Sequence, residues 1–219
     1  MISSQDKTSA SGSASGRPET GSVPRILVVG DVMVDHYVWG TSDRISPEAP
    51  VPVVDVAREI TTLGGAGNVV NNLLALGARV AVASVVGDDP IGREIVQLLQ
   101  RRAVPTAAVV REPNRESTRK LRVMVNRQLV VRLDRESRHP IAAETETALL
   151  KALEAWRGQI DAVLLSDYDK GVLTARMAQS VVAWARQQDL PVLVDPKGAD
   201  AARYRGATVL KPNRKEAPR

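Results

Sequence analysis

The chain has 219 residues, 43% hydrophobic and 25% charged, with a formal net charge of +5. That balance describes a globular chain able to bury one large core, and it excludes fibrous and wholly disordered classes. The absence of cysteine excludes a disulfide framework, a thiolate nucleophile and a cysteine-based zinc site, and no apolar run approaches the ~20 residues of a membrane span. In chain order, residues 1–24 are rich in Ser, Gly, Thr and Ala without the apolar segment of a secretory signal, so they read as a disordered leader, and the expected compartment is the cytoplasm. Arg25 to Gly30 (RILVVG) is a short apolar run closed by Gly-Asp, the pattern of a buried parallel strand. From Val32 to Ile60, alternating segments flank a proline-rich stretch, Pro47 to Pro52, as in a half-exposed sheet. Leu63-Gly64-Gly65-Ala66-Gly67-Asn68 comes next, ahead of a helical pattern from Val69 to Leu76. Glycine permits positive φ and lets a ligand approach bare peptide N–H groups. A helix N-terminus there adds unpaired donors and a positive dipole end, with Asn68 suited to be its N-cap. The stretch fits a polyhydroxylated or anionic small molecule, and equally an ordinary tight turn.

Val80 to Val86 is a second buried strand ending in Gly-Asp, and Pro90 to Arg101 places Ile91, Ile95, Leu98 and Leu99 on one helical face. Lys120 to Asp134 reads as a hairpin, KLRVMV and LVVRLD, turning near Asn126. Helical patterns follow over Glu144 to Trp156 and Ala175 to Arg186, and apolar strands over Asp161 to Ser166, Pro191 to Val194 and Ala207 to Leu210. Strands alternating with helices predict an α/β sandwich, a mostly parallel sheet covered on both faces. The alternating pieces, about 32–60 and 118–134, predict a small β lid. Ligands of such sheets bind beyond the carboxyl ends of the strands, where Asp31, Asp88, Asp167, Asp195 and Asn213 fall.

Asp31 and Asp35, flanking the end of the first strand, could accept bonds from sugar hydroxyls or simply shape a turn. Lys120 and Arg122 share one strand face, which suits a terminal phosphate or a charge-protected sheet edge. Asp167-Tyr168-Asp169-Lys170-Gly171 and Asp195-Pro196-Lys197-Gly198 each follow a buried strand, and Lys197 could reach a phosphate. Asn213 and Glu216 lie one helical turn apart, able to face a hydrated magnesium ion or to form a capping box. The local basic excess from Arg111 to Arg138 lacks interleaved aromatics, so a solvated face is preferred to a nucleic-acid patch. His36 and His139 have no metal-ligand spacing and take no catalytic role.

Together these stretches resemble the ribokinase-like (PfkB) family of carbohydrate kinases, in particular its heptose 7-phosphate kinase branch. The resemblance is carried by VVGDVMVDHYVWG, RISPEAPVPVV, GGAGNVVNNLLALGA, GDDPIGRE, TRKLRV, VVRLD, LSDYDKGVL, VDPKG and RYRGATVLKPNRKE, from about Arg25 to Glu216. It implies a ribokinase-like three-layer α/β/α fold and transfer of the γ-phosphoryl of ATP, with Mg2+, to O1 of D-glycero-D-manno-heptose 7-phosphate, feeding ADP-heptose and lipopolysaccharide synthesis. By position it places Asp31, Asp35, Gly64, Gly65 and Asn68 on the sugar and Lys120 and Arg122 near the 7-phosphate. Asp167, Lys170, Asp195 and Lys197 would line the junction with ATP, and Asn213 and Glu216 would organise magnesium and phosphates. It also implies a homodimer through the lid, with no nucleic-acid or membrane partner. The family's Gly-Ala-Gly-Asp element, whose Asp is the general base, does not occur in the sequence. The resemblance therefore implies the N-terminal part of a kinase domain, inactive alone, with an unpaired sheet edge at Ala207 to Leu210 and poor solubility.

Overall fold

The computed structural model describes residues 22–198 and 200–214. The elements run β1 (Arg25–Gly30), β2 (Val32–Ile45), β3 (Pro52–Gly65), α1 (Ala66–Ala75), β4 (Arg79–Gly87), α2 (Pro90–Gln100) and β5 (Ala108–Glu112). They continue with β6 (Arg119–Val125), β7 (Gln128–Arg135), α3 (Ala143–Leu153), β8 (Ala162–Ser166), α4 (Ala175–Arg186), β9 (Val192–Asp195) and β10 (Val209–Leu210). Six strands form a sheet in the order β10-β9-β8-β1-β4-β5, with every pair parallel. Successive side chains of β1 enter opposite cores. Leu27 and Val29 pack with Leu149, Leu153, Met177 and Val181 of α3 and α4, whereas Val28 packs with Val70, Ile95 and Leu99 of α1 and α2. A strand buried on both faces is a continuous apolar run, which is why RILVVG was legible. With no phenylalanine in the sequence, Val, Leu, Ile and Ala make up most of both layers, joined by Met177, Trp184 and Tyr204 on the α3/α4 side; each fully buried Leu or Ile contributes about 1.5–3 kcal/mol.

A second, four-stranded sheet has the order β3-β2-β6-β7 and is the expected lid. It grows from the carboxyl edge of the main sheet, because β2 starts one residue after β1 and β3 runs directly into α1. Val32, Val34 and Leu63 root it in the α1/α2 core, while every residue of β7, its outer strand, is exposed.

Three expectations are corrected. β5 is a strand that the pattern did not reveal, since AVVRE is short and half polar; it pairs parallel to β4 at the sheet edge. The glycine stretch is not a loop: pairing with β2 continues through Val32–Gly65, and helix begins at Ala66. Gly65, at φ 57°, makes the strand-to-helix turn in one residue, a conformation that costs other residues energy. Asn68 is therefore not the N-cap but the third helical residue, exposed, and no side chain caps α1. The last strand is shorter than expected, only Val209–Leu210, and pairs with β9 alone among the described residues.

Asp89 fixes the lid to the main body. Its Oδ1 caps α2 by accepting from Gly92 N–H at 2.6 Å, and its Oδ2 accepts from Ser117 N–H at 2.8 Å, just before β6. Burial works against the charge, but these backbone donors hold the Asp89 carboxyl below the usual range. A depressed carboxyl stabilises the fold above its unfolded pKa, and that contribution is lost as pH falls through the folded value. Asp89→Ala is therefore expected to cost about 1–2 kcal/mol at neutral pH, with the difference from wild type closing below about pH 4. Urea melts across pH check this; a deficit that persists unchanged into acid would contradict it.

Candidate functional site

Strand order reverses between β1 and β8, with β4 and β5 to one side and β9 and β10 to the other. In open parallel sheets, ligands bind in the crevice outside such a switch point. Here the crevice floor is tied by Asp31, which is 1% exposed. Its Oδ2 accepts from the N–H groups of Tyr168 (2.8 Å) and Lys170 (3.3 Å), and its Oδ1 from Val172 N–H (3.1 Å). Burial pushes the Asp31 carboxyl up to about 6, against the three backbone donors, with Asp167 adding to the rise.

Three residues of the expected site are tied into this framework. Asp31 spends its oxygens on the 168–172 loop. The Asp167 carboxylate, 2% exposed, accepts from Asp169 N–H (2.8 Å), Arg203 Nη1 (3.3 Å) and the Tyr204 hydroxyl. Burial and the adjacent Asp167 push the Tyr204 phenol above its ordinary range, so it remains a donor. Lys170 Nζ meets Glu136 Oε2 at 3.0 Å with both side chains largely buried. Lys170 and Arg138 hold the Glu136 carboxyl below its usual range despite burial. The physical reason is common to all three: a charge desolvated at a strand end must be paired or hydrogen-bonded.

Above the crevice, one face of the lid gathers the sugar and phosphate candidates. Asp35 stands opposite Lys120 on β6 and Thr62 on β3, and Tyr37 stands opposite Arg122. Arg122 Nη1 donates to Asp35 Oδ1 at 2.6 Å, and its guanidinium lies over the Tyr37 ring, 5.1 Å from the centroid. Lys120 is half-buried on the same face, and its side chain has no hydrogen-bond or ion-pair partner among the described residues. The Asp35 carboxylate leans over Gly64, where an added Cβ would come within 2.3 Å of Oδ2. Ala66 N–H is taken by the Asp31 carbonyl at 2.9 Å, and Asn68 presents its amide from the first turn of α1.

Toward β9 and β10, Asp195 Oδ1 pairs with Lys211 at 3.2 Å, and Lys197 and Asn213 are exposed at neighbouring strand ends. Burial first, then the nearby Asp195 and Asp35 carboxylates, raise the Tyr168 phenol above its ordinary range, with Lys197 opposing. Asp35 from the lid, Asp195 at the end of β9, Lys197 two residues beyond it and Tyr168 just after β8 are thus near enough to act on one another electrostatically. Glu216 lies outside the described residues. His36 pairs with Glu59 (2.8 Å).

Arg115, Glu112, Glu136, Tyr204 and Lys211 support the site and were not singled out from sequence. Glu112 and Arg115 lie in a polar stretch without periodicity, and Tyr204 is marked only by standing in RYRG. Tyr168 was visible inside DYDKG, but its role depends on which carboxylates face it.

Comparison with known proteins gives the family and the fold. The family model for pfkB family carbohydrate kinases matches residues 23–219. "Bifunctional protein HldE" of Trichlorobacter lovleyi is 53% identical over 199 residues, covering 91% of this chain and 40% of that protein. The protein of the same name from Geobacter sulfurreducens is 52% identical over 191 residues, 87% of this chain and 39% of the relative. The chain thus spans about 40% of the length of these curated relatives. Phosphofructokinase-2 from Escherichia coli superposes with a TM-score of 0.64 at 18% identity, over 89% of this chain and 62% of that one. An Arabidopsis thaliana ribokinase complexed with ribose and ATP gives 0.59 at 16% identity, over 89% and 62%. At that identity the two structures speak to fold alone.

Proposed function

The chain belongs to the pfkB family of carbohydrate kinases, and from this premise we propose that it supplies the sugar-phosphate side of a heptose 7-phosphate kinase. The reaction is transfer of the γ-phosphoryl of ATP to O1 of D-glycero-D-manno-heptose 7-phosphate, giving the 1,7-bisphosphate used for ADP-heptose and the lipopolysaccharide core. Identity of about half to proteins named HldE supports the heptose branch. Phosphoryl transfer rests on positioning and charge neutralisation. Asp35, the Gly64–Gly65 turn and Asn68 hold sugar hydroxyls. Lys120 and Arg122 neutralise the 7-phosphate; the observation that carries this is Lys120, a half-buried ammonium without a partner among the described residues, on the face of Asp35. Asp195, Lys197 and Asn213 take the nucleotide phosphates. Oxygen donors such as the Asp195 carboxylate and the Asn213 amide suit hydrated magnesium, with Glu216 completing the set; bound magnesium would neutralise phosphate charge. Asp31, Asp167 and Lys170 position the floor.

The sequence lacks Gly-Ala-Gly-Asp, and loss of a general base alone costs ~10²–10⁴-fold. We therefore propose that the chain binds sugar phosphate without turning it over, whereas a version extended through that element releases ADP when given heptose 7-phosphate. A coupled ADP-release assay on both tests this, and indifference of the extended protein to every sugar phosphate would end the kinase reading. Lys120→Ala is expected to weaken heptose 7-phosphate about tenfold or more while sparing unphosphorylated heptose. Calorimetric titration of both sugars checks it, and equal losses for the two would remove Lys120 from the phosphate.

A second reading, a catalytically inactive dimer partner, is favoured by β7, which exposes Leu129 (53%), Val131 (42%) and Leu133 (58%) on an open edge. Such an edge suits a second copy of the lid. A monomer at all concentrations by sedimentation would exclude it.

A further inference from the structure

At the opposite end of the main sheet, away from the proposed kinase site, a cavity of about 510 Å³ opens where β1 and β4 begin. That volume lies in the range of small-molecule sites. Leu74, Ala78 and Ile160 contribute apolar wall, and the half-buried Trp156 ring contributes a flat one. Three arginines line the same cavity. Arg25 is neutralised by Asp161, whose oxygens it meets at 2.9 and 3.2 Å. Arg102 spends one N–H on the Leu98 carbonyl at 2.8 Å, which holds the guanidinium in place and leaves its other donors. The Arg79 side chain has no hydrogen-bond or ion-pair partner among the described residues. No carboxylate belongs to the lining. Two uncompensated guanidinium groups therefore stand over an apolar, partly aromatic pocket.

We propose that this cavity binds an organic anion with a ring-sized apolar body and a carboxylate or phosphate head. The body would replace water against Trp156 and Ile160, and the head would take charge-assisted bonds from Arg79 and Arg102. The planar, multiply donating guanidinium suits either head group. Neither arginine contributes to the proposed kinase site, which lies beyond the other ends of the same strands.

The test uses the full chain, labelled with 15N. 1-Naphthoate and 1-naphthyl phosphate are titrated, with 1-naphthalenemethanol and inorganic phosphate as comparators. Saturable shifts of the Ala78, Arg79, Ala103 and Ile160 amides are expected with either naphthyl anion, at a Kd of about 1 mM or below. The neutral alcohol and inorganic phosphate are expected to bind at least about tenfold more weakly. Arg79→Ala, which removes an exposed side chain with no partner among the described residues, is expected to weaken the anions about tenfold. Arg101→Ala, an exposed neighbour outside the cavity, is expected to change nothing. Equal binding of the alcohol, equal binding of inorganic phosphate, indifference to Arg79→Ala, or absence of shifts up to about 10 mM would each overturn the proposal.

Discussion

Arg115→Leu is expected to destabilise the fold by about 3–5 kcal/mol, the cost of stranding a buried charge. The Arg115 side chain is 4% exposed and meets Glu112 Oε2 at 2.7 Å, itself 8% exposed. Its other donors reach the carbonyls of Lys170 (3.0 Å) and His139 (2.7 Å), while Glu112 Oε1 accepts from Ala142 N–H (2.9 Å). One guanidinium thus joins the end of β5, the segment between β7 and α3, and the loop after β8. The Arg115 backbone is no freer, since a Cβ on Gly87 would come within 2.0 Å of its carbonyl oxygen. Removing the arginine leaves the Glu112 carboxylate and two loop carbonyls without their donors. Removing both charges, as in Arg115→Leu with Glu112→Gln, relieves the stranded anion and should recover part of the loss. Urea unfolding of the single and double variants checks this. A single-variant loss under about 1 kcal/mol, or a double variant worse than the sum of its parts, would show that the pair is not a structural hub.

The second large effect concerns the lid face. Asp35→Ala is expected to weaken binding of heptose 7-phosphate by about 10- to 100-fold, the worth of one or two charge-assisted bonds. The thermal midpoint should move little, because the Asp35–Arg122 pair is partly exposed at 19% and 20% and such pairs contribute about 1 kcal/mol or less. Gly64→Ala reaches the same carboxylate without deleting it. The new methyl would stand 2.3 Å from Oδ2 and 3.0 Å from Met33 Cγ, both side-chain atoms that can shift. Binding should fall while the fold survives. Calorimetric titration paired with thermal melts separates the outcomes. If both variants bind as wild type does, Asp35 is only the partner of Arg122.

The same loop chemistry explains which residues a reader of the sequence could place. Asp35, Lys120 and Arg122 meet because period-two alternation puts the two cations on one face of β6, and that face is readable. That β6 lies beside β2 in parallel register, bringing Asp35 opposite Lys120, is not; it depends on pairing between segments far apart in the chain. Asp31 and Asp167 look alike in sequence to Asp35 and Asp195, since each of the four follows a short apolar run. Burial separates them: Asp31 and Asp167 are sealed under the 168–172 loop and its neighbours, while Asp35 and Asp195 remain partly open. Asn68 failed as a cap because β3 continues through both glycines, and only inter-strand pairing shows where a strand ends.

The chain's own alternation of apolar runs and helical faces determined the doubly wound sheet, its two cores and the edge at which polar side chains collect. These follow from local periodicity, because a doubly buried strand and a one-sided helix each impose their pattern residue by residue. Tertiary structure alone decided which polar groups at that edge face outward. Those choices are set by desolvation, which depends on what packs above each group. The partnership of Arg115 with Glu112, the diversion of Lys170 to Glu136 and the arginine-rimmed cavity at the far end of β1 and β4 arise in that way.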